Sequence, residues 1–169
     1  MPPTPPGVSI DSAVLADVDA LVELWVRLAR DQRDHDSHLR PEANRTPVRA
    51  SVAHHIVGDG LFVAREDDGG DIVGFVMCGL EQGDYEQTVT RGMVHNLFVV
   101  PSYRGRGVGS ALLERAEAAL AAFGADIFAL EAMADNADAR RFYERHGYRT
   151  HRVELEKSAR NDTHSKEDG

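Results

Sequence analysis

Three glycines within five residues, Gly105, Gly107 and Gly109, interleave with Arg106 and Val108 directly after Arg104. With no side chains over them, successive backbone N–H groups at such a place stay bare. At the start of a helix they point outward, together with the positive end of the helix dipole. That combination binds anions, phosphate above all. Arg104 and Arg106 add cations whose planar, many-donor heads suit phosphate. The run His95-Asn96-Leu97-Phe98-Val99-Val100 ahead of the glycines is apolar and β-branched, and the run after them is helical in pattern. The chemistry first indicated is a strand–loop–helix phosphate cradle.

Two familiar cradles do not fit. A P-loop requires Gly-Lys-Ser/Thr, and no such lysine is present. The dinucleotide fingerprint requires Gly-x-Gly-x-x-Gly, but Ser110 stands where the third glycine belongs. What is present is Val-x-Pro followed by Arg-x-x-Gly-x-Gly, as Arg104, Gly107 and Gly109. A second constellation lies one strand further on: Asn136-x-x-Ala139-x-x-Phe142-Tyr143-x-x-x-Gly147-Tyr148. The two motifs, in this order and at this separation, resemble the GNAT superfamily of acyl-CoA-dependent N-acyltransferases. The resemblance covers Val94 to Tyr148 firmly and the N-terminal half by its order of elements.

The resemblance implies acetyl-CoA as co-substrate. The backbone of Leu97, Phe98 and Val99 would pair with the pantetheine arm like an added strand. Arg104, Gly105, Arg106, Gly107, Val108 and Gly109 would hold the pyrophosphate, and Arg140 and Arg141 could reach phosphates. Asn136 would contact the pantetheine amides or cap its helix, and Tyr143, seven residues on, would protonate the departing thiolate. The acceptor amine must lose a proton first. A lysine-like amine titrates near pH 10.4, so its neutral form at pH 7 costs roughly 4–5 kcal/mol. His95 and Glu131 are the candidate bases; strand alternation puts His95 on the face of Leu97. Cys78 stands in no motif, so direct transfer in a ternary complex is expected rather than an acyl-enzyme. The expected activity is acetyl transfer to a primary amine of a small molecule or protein, the alternative being a non-catalytic acyl-CoA-binding module on the same scaffold. Relatives commonly form homodimers.

Composition narrows the classes. The chain has 169 residues, 42% of them hydrophobic, enough for one domain with a sizeable core. Its net charge is −9, from 28 acidic against 19 basic residues, of which only Lys157 and Lys166 are lysines. Such a balance disfavours nucleic-acid binding and leaves local arginines to offset the field felt by a polyanionic ligand. An acidic, lysine-poor surface also suits a high-salt cytoplasm. No apolar run reaches membrane-span length, and the opening Met1-Pro2-Pro3-Thr4-Pro5-Pro6-Gly7 is unlike a signal peptide. With a lone cysteine, a cytoplasmic location is expected. His35 and His38 lie in a polar stretch with no zinc-like ligand spacing, and no metal is expected.

These residues need elements to hold them. Val8 to Val14 reads as a strand, and Asp17 as the cap of a helix whose apolar face is Val18, Leu21, Val22, Trp25, Leu28 and Ala29. Thr46-Pro47 opens a second helix that Gly58-Asp59-Gly60 stops. Leu61 to Arg65 and Ile72 to Leu80 form a hairpin, with Gly74 and Gly79 as possible bulges. The segment from Glu81 to Arg91, with Asp84 and Glu86, is an acidic linker: a solvated loop needing no function, or alternatively a stretch that attracts a cationic amine. Met93 to Val100 is the central strand, Val108 to Phe123 a helix, and Asp126 to Met133 a parallel strand. A short helix runs from Asn136 to Gly147, and Thr150 to Glu156 alternates as a last strand. The class is α/β (α+β): a single mixed sheet of about six to seven strands flanked by about four helices. Residues 1–7 read as a flexible arm, 8–157 as the domain, and 158–169 as a disordered polar tail.

Overall fold

The computed structural model describes residues 4–160, so most of the sequence-predicted tail and the first three residues of the arm lie outside the described residues. Five strands form one sheet in sequence order: β1 (Val8–Ser12), β2 (Leu61–Glu66), β3 (Ile72–Leu80), β4 (Arg91–Val99) and β5 (Ile127–Leu130). The first four pair antiparallel, and β4 pairs with β5 parallel. The helices are α1 (Val18–Arg33), α2 (Arg45–Val57), α3 (Val108–Ala122) and α4 (Ala137–Arg145).

Strand alternation divides the core in two. Val63 and Phe75 face α1 and α2, where they join Leu21, Val22, Trp25 and Val52. Their neighbours Phe62 and Val76 face α3, where they join Leu112, Leu113, Ala116 and Leu120. With helices on both sides, the middle strands must be apolar on both faces. This is why Leu61-Phe62-Val63-Ala64 reads as an unbroken apolar run. The α1–α2 seam carries ion pairs on its exposed side, Arg45 with Glu23 and Arg49 with Asp19.

Several sequence expectations are corrected. The described residues hold five strands rather than six to seven, and 150–156 forms none of them. Its alternation buries nothing: Val153 is 69% and Leu155 88% exposed. A period of two produces a strand only where an edge pairs with it and a face covers it; the segment's side-chain tie is Glu156 to His38 Nε2, at 3.0 Å. Asp17 precedes α1 but does not cap it forward. Its carboxylate accepts from the Val14 N–H behind it, at 3.0 Å, and from Arg65, at 2.9 Å, and the residue is only 8% exposed. The second helix starts at Arg45, ahead of Thr46-Pro47.

One bulge falls elsewhere and one beside Gly74. Met77 faces Asn96 while Cys78 faces Val94, so the extra residue lies in β4, and it is His95. A second irregularity sits between Ala64 and Arg65. Gly74 has a different reason to be glycine: a Cβ there would lie 2.9 Å from the Phe98 carbonyl oxygen and 3.1 Å from Leu112 Cδ1. The missing side chain lets β3, β4 and α3 close on one another behind the glycine-rich loop. Gly74→Ala is therefore expected to cost about 1–3 kcal/mol of stability. Gly83→Ala, where a Cβ meets nothing within 4 Å, should stay within about 0.5 kcal/mol. Urea denaturation of the two variants reads the difference; equal midpoints would contradict it.

Candidate active site

The β4–β5 ladder is short. It runs from Arg91 opposite Ile127 to Val94 opposite Leu130 and stops there, although β4 continues five residues further. The strands therefore part after Val94, leaving a V with one wall made by 95–99. The Val100 N–H donates to the Val73 carbonyl on β3. By alternation the N–H and C=O groups of Leu97 and Val99 point the other way, into the V. Among the described residues these are backbone groups without a strand to pair with, the arrangement an extended amide-bearing chain completes. One of them is already used: the Val99 carbonyl accepts from Arg104 Nε at 2.9 Å.

The loop at the wide end of the V leads into α3. Gly105 and Gly107 have φ of +74° and +84°, a left-handed backbone that favours glycine, and Gly107 is the residue that starts the helix. Gly109 is close to α4: a Cβ there would meet the Phe142 ring at 3.5 Å. Arg104 turns back toward the end of β4, its guanidinium 3.3 Å from Asp31 and 5.6 Å from the centre of the Phe98 ring. Arg106 lies over the Tyr103 ring, 5.1 Å from its centre. Together with Gly107, Ser110 and Ala111, Arg106 lines a 470 Å³ recess closed on one side by Thr4, Pro5 and Pro6. Pro5 is buried.

At the narrow end of the V, His95 and Glu131 are the residues immediately after the last pair, Val94 and Leu130. Both line an open cavity of about 820 Å³, shared with His54 and His55 from the last turn of α2, Cys78 from β3, and Glu81. The β4 bulge decides which way His95 faces. Leu97 and Val99 pack on the α3 side, while the His95 ring meets His55 of α2 edge-on, with centroids 5.4 Å apart. The expectation that His95 shares the face of Leu97 is thus reversed, because one extra residue breaks the alternation. Crowding by the surrounding protein, and next the neighbouring His55, hold the His95 imidazole below its ordinary range; Glu131 pulls the other way. Glu81 is engaged by Arg91 at 2.6 Å and by Gln87. These contacts hold its carboxyl low, with the Gln87 hydrogen bond the largest cause.

Tyr143 stands on the opposite side. It projects from α4 into the α3-side cluster, with its ring 6.0 Å from Tyr148 and 5.3 Å from Phe142. It does not line the cavity of His95 and Glu131. Burial pushes its hydroxyl above the usual phenol range and so keeps it a proton donor. Asn136 caps α4, its side-chain oxygen accepting from the Ala139 N–H at 3.2 Å. Gly147, with φ of +89°, ends the helix. The seam between α3 and α4 is tied by Ser110 with His146, at 2.9 Å, and by Tyr148 donating to Glu117, at 2.9 Å. Arg141 pairs with Asp138, and Arg140 donates to the Ala134 carbonyl at 2.9 Å. Cys78 is buried and its thiol is pushed up to about 11 by that burial, which makes a thiolate nucleophile scarce at neutral pH.

Sequence reasoning missed His54 and His55. Both belong to a helix whose stop at Gly58 the sequence marks, but nothing in their spacing shows that the last turn of α2 reaches the end of β4. Among the described residues, no group of three or more His, Cys, Asp or Glu side chains is arranged to hold a metal ion. No helix there is long and apolar enough to cross a membrane.

Comparison with known proteins agrees with this architecture. A profile of the Acetyltransferase (GNAT) family matches residues 19–148. An uncharacterized N-acetyltransferase of Archaeoglobus fulgidus is 35% identical over 100 residues, 59% of this chain and 65% of that protein. Acetyltransferase ECA0875 of Pectobacterium atrosepticum is 32% identical over 136 residues, 79% of this chain and 82% of its own length. Among solved structures, a mutant of the BH1408 protein of Bacillus halodurans superposes with a TM-score of 0.71 at 18% identity, over 89% of this chain and 98% of that one. The chain belongs to the Acetyltransferase (GNAT) family, whose members draw their acetyl group from acetyl-CoA.

The left-handed start of α3 yields a direct expectation. Gly107→Ala places a side chain at φ of +84°, a strain of about 1–2 kcal/mol that tilts the bare amides. Calorimetric titration should show acetyl-CoA binding weakened about tenfold. Unchanged affinity would remove the loop from the binding site.

Proposed function

We propose that this protein is an acetyl-CoA-dependent N-acetyltransferase that acetylates a primary amine entering as a cation. The observation that carries the reading is the position of His95 and Glu131 at the point where β4 and β5 part, beside an open strand edge. In this reading the edge groups of Leu97 and Val99, with Phe98 between them, hold the pantetheine arm. The loop from Arg104 to Gly109 receives the pyrophosphate on its bare amides. The thioester supplies an activated acetyl group, and everything else falls to the chain's own residues.

The cavity at the narrow end admits the acceptor. Glu131 and Glu81 line it, and no Lys or Arg does among the described residues, so its potential favours an ammonium ion. His95 takes the ammonium proton. An imidazole held below its ordinary range is neutral, and hence ready as a base, at pH 7. The departing sulfur needs a proton from the other face of the sheet, where Tyr143 keeps its own. A base and an acid on opposite faces avoid neutralising each other. The catalytic unit in this reading is the single domain of residues 8–157, working in the cytoplasm.

The test is free-thiol release from acetyl-CoA with panels of polyamines, aminoglycosides, amino acids and lysine peptides. Turnover with one class is expected. Tyr143→Phe should lower kcat about 10²-fold with acetyl-CoA affinity kept within about threefold. Binding of acetyl-CoA without thiol release in any panel would favour the non-catalytic module instead. The acid limb of kcat/KM gives a second check. The neutral imidazole is the active form and its range is lowered, so activity should persist to below about pH 6.5. An acid limb above that value would remove His95 as the base.

A further inference from the structure

The last turn of α2 brings His55 against the proposed base, and its hydrogen bonding selects the tautomer of its neutral ring. His55 Nδ1 lies 2.7 Å from the Ser51 carbonyl oxygen, one turn back on the same helix. A carbonyl only accepts, so Nδ1 carries the hydrogen, and in the neutral ring Nε2 is the nitrogen with the lone pair. The Ser51 hydroxyl stands 3.4 Å from the same Nδ1. His55 packs edge-on against His95 on one side and edge-on against His54 on the other, with centroids 5.4 Å and 5.7 Å apart. All three line the 820 Å³ cavity. The row His95, His55, His54 thus leads from the parting of the strands along the cavity wall.

We propose that His55 is a positioning residue for proton removal: it shares one proton with His95 and carries that proton from the acceptor amine toward solvent. The proposal rests on the reading of His95 as the base. The ammonium N–H bond breaks and His95 becomes an imidazolium. That proton then passes to the lone pair of His55 Nε2, through a water in the cavity, which restores neutral His95. His55 finally releases the proton to the solvent of the open cavity. The fixed tautomer matters because a hydrogen on Nε2 would block the step. The groups facing the pair are His54 on α2, Cys78 on β3, Glu131 after β5, and Glu81, already engaged by Arg91 and Gln87. Of these, Glu131 is the carboxylate with no side-chain partner among the described residues, and it steadies whichever imidazole holds the charge.

Histidine-selective ¹⁵N and ¹³C NMR on the full chain tests the pair without turnover. His55 should show a protonated Nδ1 and a bare Nε2 near pH 8. In His55→Asn, which keeps a polar group of similar reach, the His95 midpoint should rise by about half a pH unit or more toward the free value. An Nε2–H tautomer at His55, or a His95 midpoint unmoved within 0.1 unit, would overturn the proposal. A kinetic arm uses whichever amine the thiol-release panel turns over. His55→Ala should lose about 10-fold or more in kcat with KM for acetyl-CoA unchanged, and added imidazole should restore part of it. Lost activity without imidazole rescue, in a variant that melts like the parent, would point to a packing role and overturn the relay. If no amine of the panel is turned over, the reading of the enzyme fails, while the NMR arm still decides whether the two imidazoles share a proton.

Discussion

Everything at this site depends on β4 and β5 being paired for four residues and then not at all. A parallel ladder that stops early leaves backbone amides exposed on a strand whose other edge is firmly held by β3. The held edge supplies rigidity and the free edge supplies recognition. Rigidity comes from packing: Phe98 is buried among α1, α2 and β3, Gly74 lets β3 and β4 close on α3, and Arg104 pins the end of the strand through the Val99 carbonyl and Asp31. A frayed sheet edge elsewhere would be a liability. Here helices cover both faces of the sheet.

The single-residue bulge at His95 is the second constraint, and it follows from the first. Were β4 regular, His95 would point to the α3 side together with Leu97 and Val99, among apolar neighbours. One extra residue turns it to the α2 side, where an open cavity and two further imidazoles await it. Tyr143 stays on the α3 side. The sheet therefore separates the two titratable groups, and each acquires its own shift: the imidazole downward by crowding and a like neighbour, the phenol upward by burial.

The parts legible in the sequence are those written in local chemistry. Gly105 and Gly107 announce left-handed backbone, Asn136 and Gly147 bracket α4, and the apolar periods of α1 and α3 name their buried faces. The hairpin of β2 and β3 was legible because Asp67-Asp68-Gly69 is strong turn chemistry. What failed needed tertiary information. A bulge is one residue of register between two strands, and neither strand alone records it; Gly74 and Gly79 drew attention instead, one of them glycine for a packing reason. His151, Val153 and Leu155 carry a strand period, yet pairing is a property of an edge that the segment itself does not encode. His54 and His55 looked like ordinary residues of a last helical turn because their importance lies in what β4 places opposite them.

The short proline segment at the start of the chain rests against the loop that opens α3, with Pro5 buried beside Gly107. It enters β1 from there, and β1 is the outermost strand of the sheet. Thr4, Pro5 and Pro6 consequently form the wall of the recess beside Arg106. A bulky or charged replacement at Pro5 would therefore reshape the mouth of the cradle from a place far away in sequence.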